Sequence, residues 1–331
     1  MVQPWPGVES MTLPILRMTP YLTPRPWGGE RLGNLFGKPV PPGEKVGEAW
    51  ELSDHPEGPS RIAGGPFDGW LFGDVLRAHP RGAIGRDAAP ACYPLLIKYI
   101  DAGQDLSIQV HPDDGYARRQ GLIDRGKTEC WYVMDCNPGA RIIYGLRPGT
   151  TRADLEHALS RQSVPEVVQH LPITPGMFLF VPPGTVHAIL GGTLLCEIQQ
   201  SSNLTYRLWD WERQPPRPLH IQEALEVIEF DPEEPRHPFP LPPPPSAGSL
   251  VVPLTHNPYF EVDALRLAPG CAETIEQPGC GFVLNGVAGG CDVSGEPLMP
   301  GQTLFVPADI KQVTVQAGGQ PATVLISRSN E

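Results

Sequence analysis

No stretch of this 331-residue chain is apolar for long enough to cross a bilayer, and none of its seven cysteines forms a Cys-x-x-Cys pair. The first absence argues against a transmembrane helix, which needs about 20 consecutive apolar residues. The second, with an odd count, points to reduced thiols and a cytoplasmic protein rather than a disulfide framework. Positive charge is also short: 25 Lys and Arg face 37 Asp and Glu, a formal net charge of −12. Nucleic acid and anionic membrane both call for clustered cations, so neither is expected as a partner. A small anionic substrate stays compatible if a few cations line a pocket. The opening MVQPWPGVESMTLPILRM has no basic segment ahead of a long apolar one, so it does not read as a signal peptide, and Met11 offers a second start. Nothing in the sequence sets an oligomeric state.

What the chain has in abundance is turn-forming residues, with 42 Pro and 36 Gly. They imply many short strands, and the length suits two domains. Residues 20–60, rich in Pro, Gly and Trp, read as irregular with short strands. Residues 92–111 hold two strands about an Asp-Ala-Gly turn. In the second, Leu106, Ile108 and Val110 face one way and Ser107, Gln109 and His111 the other. Residues 128–134 and 140–145 read as a hairpin. The clearest helical region is 150–171, capped by Thr151, with Leu155, Ala158 and Leu159 as its apolar stripe. A short helix is expected near 220–229. DPEEPRHPFPLPPPP at 231–245 reads as an extended linker. The expected division is a catalytic domain over 1–230, the linker, and a second domain over 246–331.

The second domain looks like a worn copy of the first. PGMFLFVPPGTVHAI (175–189) aligns with PGQTLFVPADIKQVTV (300–315), setting His187 against Gln312. ECWYVM (129–134) lies on GCGFVL (279–284), setting Glu129 against Gly279. Four side chains at strands or strand ends stand out in the first copy: Gln109, His111, Glu129 and His187. One amide oxygen, two imidazoles and one carboxylate suit a borderline divalent metal such as Zn²⁺, one ion per chain. Asp113 and Asp114 are further carboxylates at hand, although HPDD reads more economically as a turn in which Asp113 accepts backbone hydrogen bonds. The remaining histidines, His55, His79, His157, His170, His220, His237 and His256, read as surface or structural. Lys127 and Glu129 share a face if extended, which brings an ammonium beside the metal and lowers its pKa. Thr205, Arg207 and Trp209 share one strand face, and an Arg in an otherwise apolar strand must be paired or at an edge: a structural salt bridge is the plain alternative, and an anionic enediolate or phosphate partner suits a planar guanidinium equally well.

Together, QVHPDD and the VPPGT-x-H phrase resemble the cupin superfamily. Trp27-Gly28-Gly29, Gly47-Glu48-Ala49-Trp50, PLLIKYIDAGQDLSIQVHPDD (94–114), GKTECWYV (126–133), FVPPGTVHAI (180–189) and EIQQSSNLTYRLWDW (197–211) narrow the resemblance to type I mannose-6-phosphate isomerases of the short bacterial form. The resemblance covers the N-terminal two-thirds of the chain. It implies a mainly β fold of two cupin (jelly-roll) barrels with a small helical insertion, only the first barrel holding metal. It implies zinc-dependent interconversion of mannose 6-phosphate and fructose 6-phosphate, with the ligands at Gln109, His111, Glu129 and His187. Arg207 then falls on the family's active-site arginine. Lys98 and Lys127 fall on lysines that handle phosphate or protons, Ser107 on a serine near the phosphate, and Glu48 on an acidic pocket residue. Lys127 is the leading base, with Glu48 or a water on the metal behind it. Glu197, Gln199 and Gln200 are expected to support the site without touching substrate. The rival is a non-catalytic cupin that binds a metal or sugar phosphate, against which stand the three cations Lys98, Lys127 and Arg207. A redox-active cupin oxygenase fits the glutamine ligand poorly.

Overall fold

The computed structural model describes residues 12–231 and 238–331. Met11, His237 and residues 232–237 of the expected linker lie outside the described residues. The fold is mainly β. Among the described residues no helix is long and apolar enough to cross a membrane.

The candidate site lies between two sheets. One runs in the order Phe239–Pro240, Met177–Val181, Glu129–Cys136, Thr193–Gln200, Leu95–Ala102, Tyr21–Gly29, Val46–Leu52. The other runs Tyr206–Trp209, Ile108–Val110, His187–Ile189, Arg141–Leu146, Val168–Pro172. Every residue of Leu95–Ala102 is buried, because both faces of that strand are covered. Lys98 and Ile100 line a cavity between the two sheets. Leu95, Ile97 and Tyr99 turn the other way, into a core that also contains Phe260, Val262, Val283 and Phe305 from the far end of the chain. There the Tyr99 hydroxyl lies 3.0 Å from the Gln302 carbonyl and 3.2 Å from that of Gly286.

The C-terminal residues build a second pair of sheets. The order Met177–Val181, Glu129–Cys136, Thr193–Gln200, Leu95–Ala102 reappears as Thr303–Val306, Phe282–Ala288, Ala322–Ser329, Phe260–Leu267. His187 and Gln312 each open a strand, and Gln109↔His187 has its counterpart in Glu276↔Gln312. Glu129 also opens its strand, so its counterpart is Phe282 and not Gly279, which lies three residues ahead in a turn. Phe282, Leu284, Val293, Leu304, Val306, Val313 and Val315 fill the C-terminal interior with hydrocarbon. Leu16–Thr19 and Arg61–Ala63 also join the C-terminal sheet, with Leu16 opposite Phe305.

Several local expectations are corrected. Within 150–171 only Arg152–Ser160 is α-helix, closed by a capping box between Thr151 and Asp154. Pro165 sits in a 3₁₀ turn, and Val168–Pro172 pairs as a strand with Arg141–Leu146. Glu129–Cys136 and Arg141–Leu146 are consecutive but lie in different sheets, so they form no hairpin. Tyr21–Gly29 and Val46–Leu52 are longer sheet strands than the short strands in irregular structure that were expected there. Phe239–Pro240, within the linker, pairs with Met177–Val181.

Phe305 is fully buried and packs its ring on Phe72 at 5.1 Å between centroids. Phe305→Ala is expected to destabilise the protein by about 3–5 kcal/mol and to lower a single unfolding transition seen by near-UV and far-UV signals alike. Two separated transitions, only one of them shifted, would show that the halves do not share a core.

Candidate metal centre and substrate cavity

Cross-strand register places the site residues. Arg207, Gln109, His187 and Tyr144 stand directly opposite one another across four strands, so all four point to one face. On the facing sheet Trp131, Glu197, Lys98 and Trp50 form a similar row, and Glu129 lies two residues from Trp131 on the same face. The two rows meet at His111, Glu129 and His187, whose ligand atoms all lie within 4.8 Å of one another, fully enclosed.

The cluster suits a divalent cation. His111 Nδ1 lies 2.8 Å from the Leu204 carbonyl and His187 Nδ1 2.9 Å from that of Thr185. A ring nitrogen facing a carbonyl must carry the proton, so each Nε2 keeps a free lone pair. Those two Nε2 atoms lie 3.6 and 3.4 Å from the Glu129 carboxylate. Burial holds His111 far below the usual histidine range and His187 down to about 4, so both rings stay neutral. Burial first, then Glu197, raises the Glu129 carboxyl to about 7. Its two oxygens are enclosed, faced by the Lys127 ammonium at 2.9 Å and by two imidazole nitrogens that offer lone pairs, an acceptor-rich set that suits a further cation. Gln109 lies beside them, its amide nitrogen 3.4 Å from His187 Nε2 and its oxygen 3.2 Å from the Ser107 hydroxyl. Turning the amide over would offer its oxygen to a metal and its NH₂ to Ser107.

Lys127 Nζ lies 2.9 Å from Glu129 Oε2 and 3.2 Å from His111 Nε2. Burial alone would lower its pKa, but Glu129 and Glu197 outweigh burial and raise it. A divalent cation held by the same carboxylate would oppose that rise, which is the condition under which a depressed value is expected. Lys98 is held at 3.1 Å by Glu197 and at 2.7 Å by Gln199. Glu48 takes a two-point contact from Arg25 and a 2.7 Å bond from Trp50 Nε1. Burial would raise its pKa, but Lys98 and Arg25 together bring it down to about 2.

These side chains surround a cavity of about 250 Å³. Five cations line it, Arg25, Lys98, Lys127, Arg207 and Arg217, with two carboxylates, Glu48 and Glu197; Ser107, Gln109, Asn203 and Thr205 add neutral polar groups. Asp210 grips Arg217 and Arg213. Among the described residues Arg207 has no carboxylate partner, which sets aside the salt-bridge alternative. Its Nη1 donates to the Pro218 carbonyl at 2.7 Å, and its enclosed Nε has no partner. Burial, Arg217 and Arg25 lower its pKa. Asp113 caps the Asp114–Arg119 helix, accepting from Tyr116 N at 2.6 Å, and neither it nor Asp114 joins the metal cluster. Arg25, Arg217 and the cavity position of Glu197 escaped the sequence reading. Arg25 and Arg217 each sit between two prolines, a repeated Pro-Arg-Pro signal.

Residues 15–133 match the family model for the catalytic domain of type I phosphomannose isomerase. The chain is 40% identical over 222 residues to the probable mannose-6-phosphate isomerase GmuF of Bacillus subtilis, spanning 66% of this chain and 69% of that one. It is 39% identical over 231 residues to B. subtilis mannose-6-phosphate isomerase ManA, spanning 69% and 72%. The chain belongs to the type I phosphomannose isomerase family. A crystal structure of mannose 6-phosphate isomerase from B. subtilis superposes with TM-score 0.84 at 30% identity, covering 95% of this chain and 99% of that one. The family likeness thus extends over the whole cupin fold, while the family model itself stops just beyond Glu129.

Two outcomes follow from this geometry. Glu129→Ala and His187→Ala are each expected to lose bound metal, read by elemental analysis, while keeping the wild-type circular dichroism spectrum. Full metal occupancy in either variant would refute the ligand set. Glu48, depressed from 4.5 to about 2, contributes stability that is present above pH 4.5 and lost as pH falls towards 2. Glu48→Gln should therefore flatten the acid limb of the stability curve in that window. A steeper limb would contradict the assignment.

Proposed function

We propose that this chain interconverts mannose 6-phosphate and fructose 6-phosphate through a cis-enediol route, with one Zn²⁺ held by Gln109, His111, Glu129 and His187. The observation that carries the reading is a buried His–Glu–His cluster beside a cavity with five cations and two carboxylates, in a chain of net charge −12. Such a cavity favours an anionic small molecule.

Aldose–ketose isomerisation moves a proton between C1 and C2 and a hydrogen between O1 and O2. When bound, the zinc supplies a Lewis acid that polarises and orients the sugar oxygens. Lys127, at the cavity wall beside Glu129, is the leading proton carrier. Glu48, held at about 2, is a weak base, and Lys127, raised by Glu129 and Glu197, takes up a proton only where a cation on Glu129 offsets those carboxylates. Arg207 offers donors not committed to any carboxylate to the oxygen where enediolate charge develops. Lys98 and Ser107, joined by Arg25 and Arg217 on the same cavity, hold the phosphate. That remote binding fixes the open-chain sugar against the reacting groups. The substrate is thus a small sugar phosphate, and the setting proposed for the enzyme is the cytoplasm.

Arg207→Lys tests the reading by steady-state kinetics. A guanidinium can bond two oxygens where an ammonium is one point charge. The expected result is a fall in kcat of roughly 100-fold with KM within about threefold of wild type. A steep rise in KM at unchanged kcat would make Arg207 a phosphate anchor and move charge stabilisation elsewhere.

A further inference from the structure

Arg125-Gly126-Lys127-Thr128 leads directly into Glu129, and its backbone is tied down at every step. Gly126 N donates to Asp114 Oδ1 at 2.8 Å, Lys127 N to the Pro112 carbonyl at 3.0 Å, and Thr128 N to Gln200 Oε1 at 2.9 Å. A Cβ at Gly126 would stand 2.3 Å from Asp114 N, so only glycine lets this loop close on the segment following His111. Arg125 then reaches out of the catalytic half. Its guanidinium lies 3.2 Å from Asp114 Oδ2, grips the Glu331 carboxylate with both terminal nitrogens, and sits over the Tyr259 ring. Glu331 is itself placed by the C-terminal sheet: its N–H donates to Ser329 Oγ at 3.1 Å, and Asn330 N to the Tyr259 carbonyl at 3.0 Å.

We infer that the C-terminal unit contributes a positioning residue to the reaction: Glu331, acting through Arg125 and Asp114, holds the 124–128 loop so that Lys127 stays aimed into the cavity. The inference rests on the proposed role of Lys127. A forked guanidinium–carboxylate pair fixes direction as well as distance. Arg125 and Glu331 are each about one-third exposed, at 29% and 30%, so the pair adds little to global stability. Its consequence is geometric, because a small displacement of a group that moves protons slows turnover steeply.

The test uses the full-length, zinc-loaded protein. Glu331→Gln should lower kcat roughly tenfold, leave KM and metal content unchanged, and speed amide exchange across residues 124–128. Glu331→Asp, which keeps the charge, should restore most of the turnover. Arg125→Lys, which keeps the charge but loses the fork, should behave like Glu331→Gln. Unchanged kcat and unchanged exchange in Glu331→Gln, or a rise in KM alone, would overturn the inference. If wild type fails to isomerise mannose 6-phosphate, the functional reading falls, and the exchange measurement still decides whether the clamp exists.

Discussion

Glu129 is a carboxylate at zero exposure, and the surrounding architecture is organised about its charge. An ionised carboxylate taken out of water needs opposite charge nearby. Two neutral imidazoles approach it, each with Nδ1 turned back to a carbonyl and a lone pair left free. Lys127 is the nearest charge of opposite sign. Glu197 then keeps Lys98 in place and accepts from Trp131 Nε1 at 3.0 Å, while Trp131 packs its ring against His187. One buried charge thus organises a layered set of polar groups that an apolar interior would not otherwise accept. His111, Glu129 and His187 are the residues that could hold a divalent cation there.

Pairing across strands made part of this arrangement legible in the sequence. Gln109 and His111 could be assigned to one polar face because a strand alternates, and the sheet confirms the row by setting Gln109 between His187 and Arg207. Lys127 and Glu129, two residues apart, were readable by the same rule. Arg25 and Arg217 were not, since Pro-Arg-Pro segments have no periodicity to say where the side chain points. The false hairpin at 128–145 has a related cause. Alternation marks which residues face a core but not which of two facing sheets a strand joins, and Glu129–Cys136 and Arg141–Leu146 go to opposite sheets. The 150–171 helix stops at Ser160, where Gln162 takes a left-handed φ of 56°, and after the turn at Pro165 the β-branched Val168 opens a strand.

The two halves use one strand order for different ends. In the first, the interior carries the His111–Glu129–His187 cluster and five cations around a cavity. In the second, the positions matching Glu129, His187 and Gln109 are Phe282, Gln312 and Glu276; the phenylalanine fills the interior, while the other two are exposed. The outer face of the Leu95–Ala102 strand is then free to pack on the second half through Tyr99 and Ile97, with Lys98 and Ile100 on the opposite face. A single strand with both faces buried therefore couples the shared core to the substrate cavity.

The most direct measurement is conversion of mannose 6-phosphate to fructose 6-phosphate by the purified full-length chain, before and after chelation and after return of one equivalent of Zn²⁺ per chain. The account predicts turnover that is lost with the metal and restored by the single equivalent. Turnover that survives complete removal of metal, or none from fully loaded protein, would contradict it.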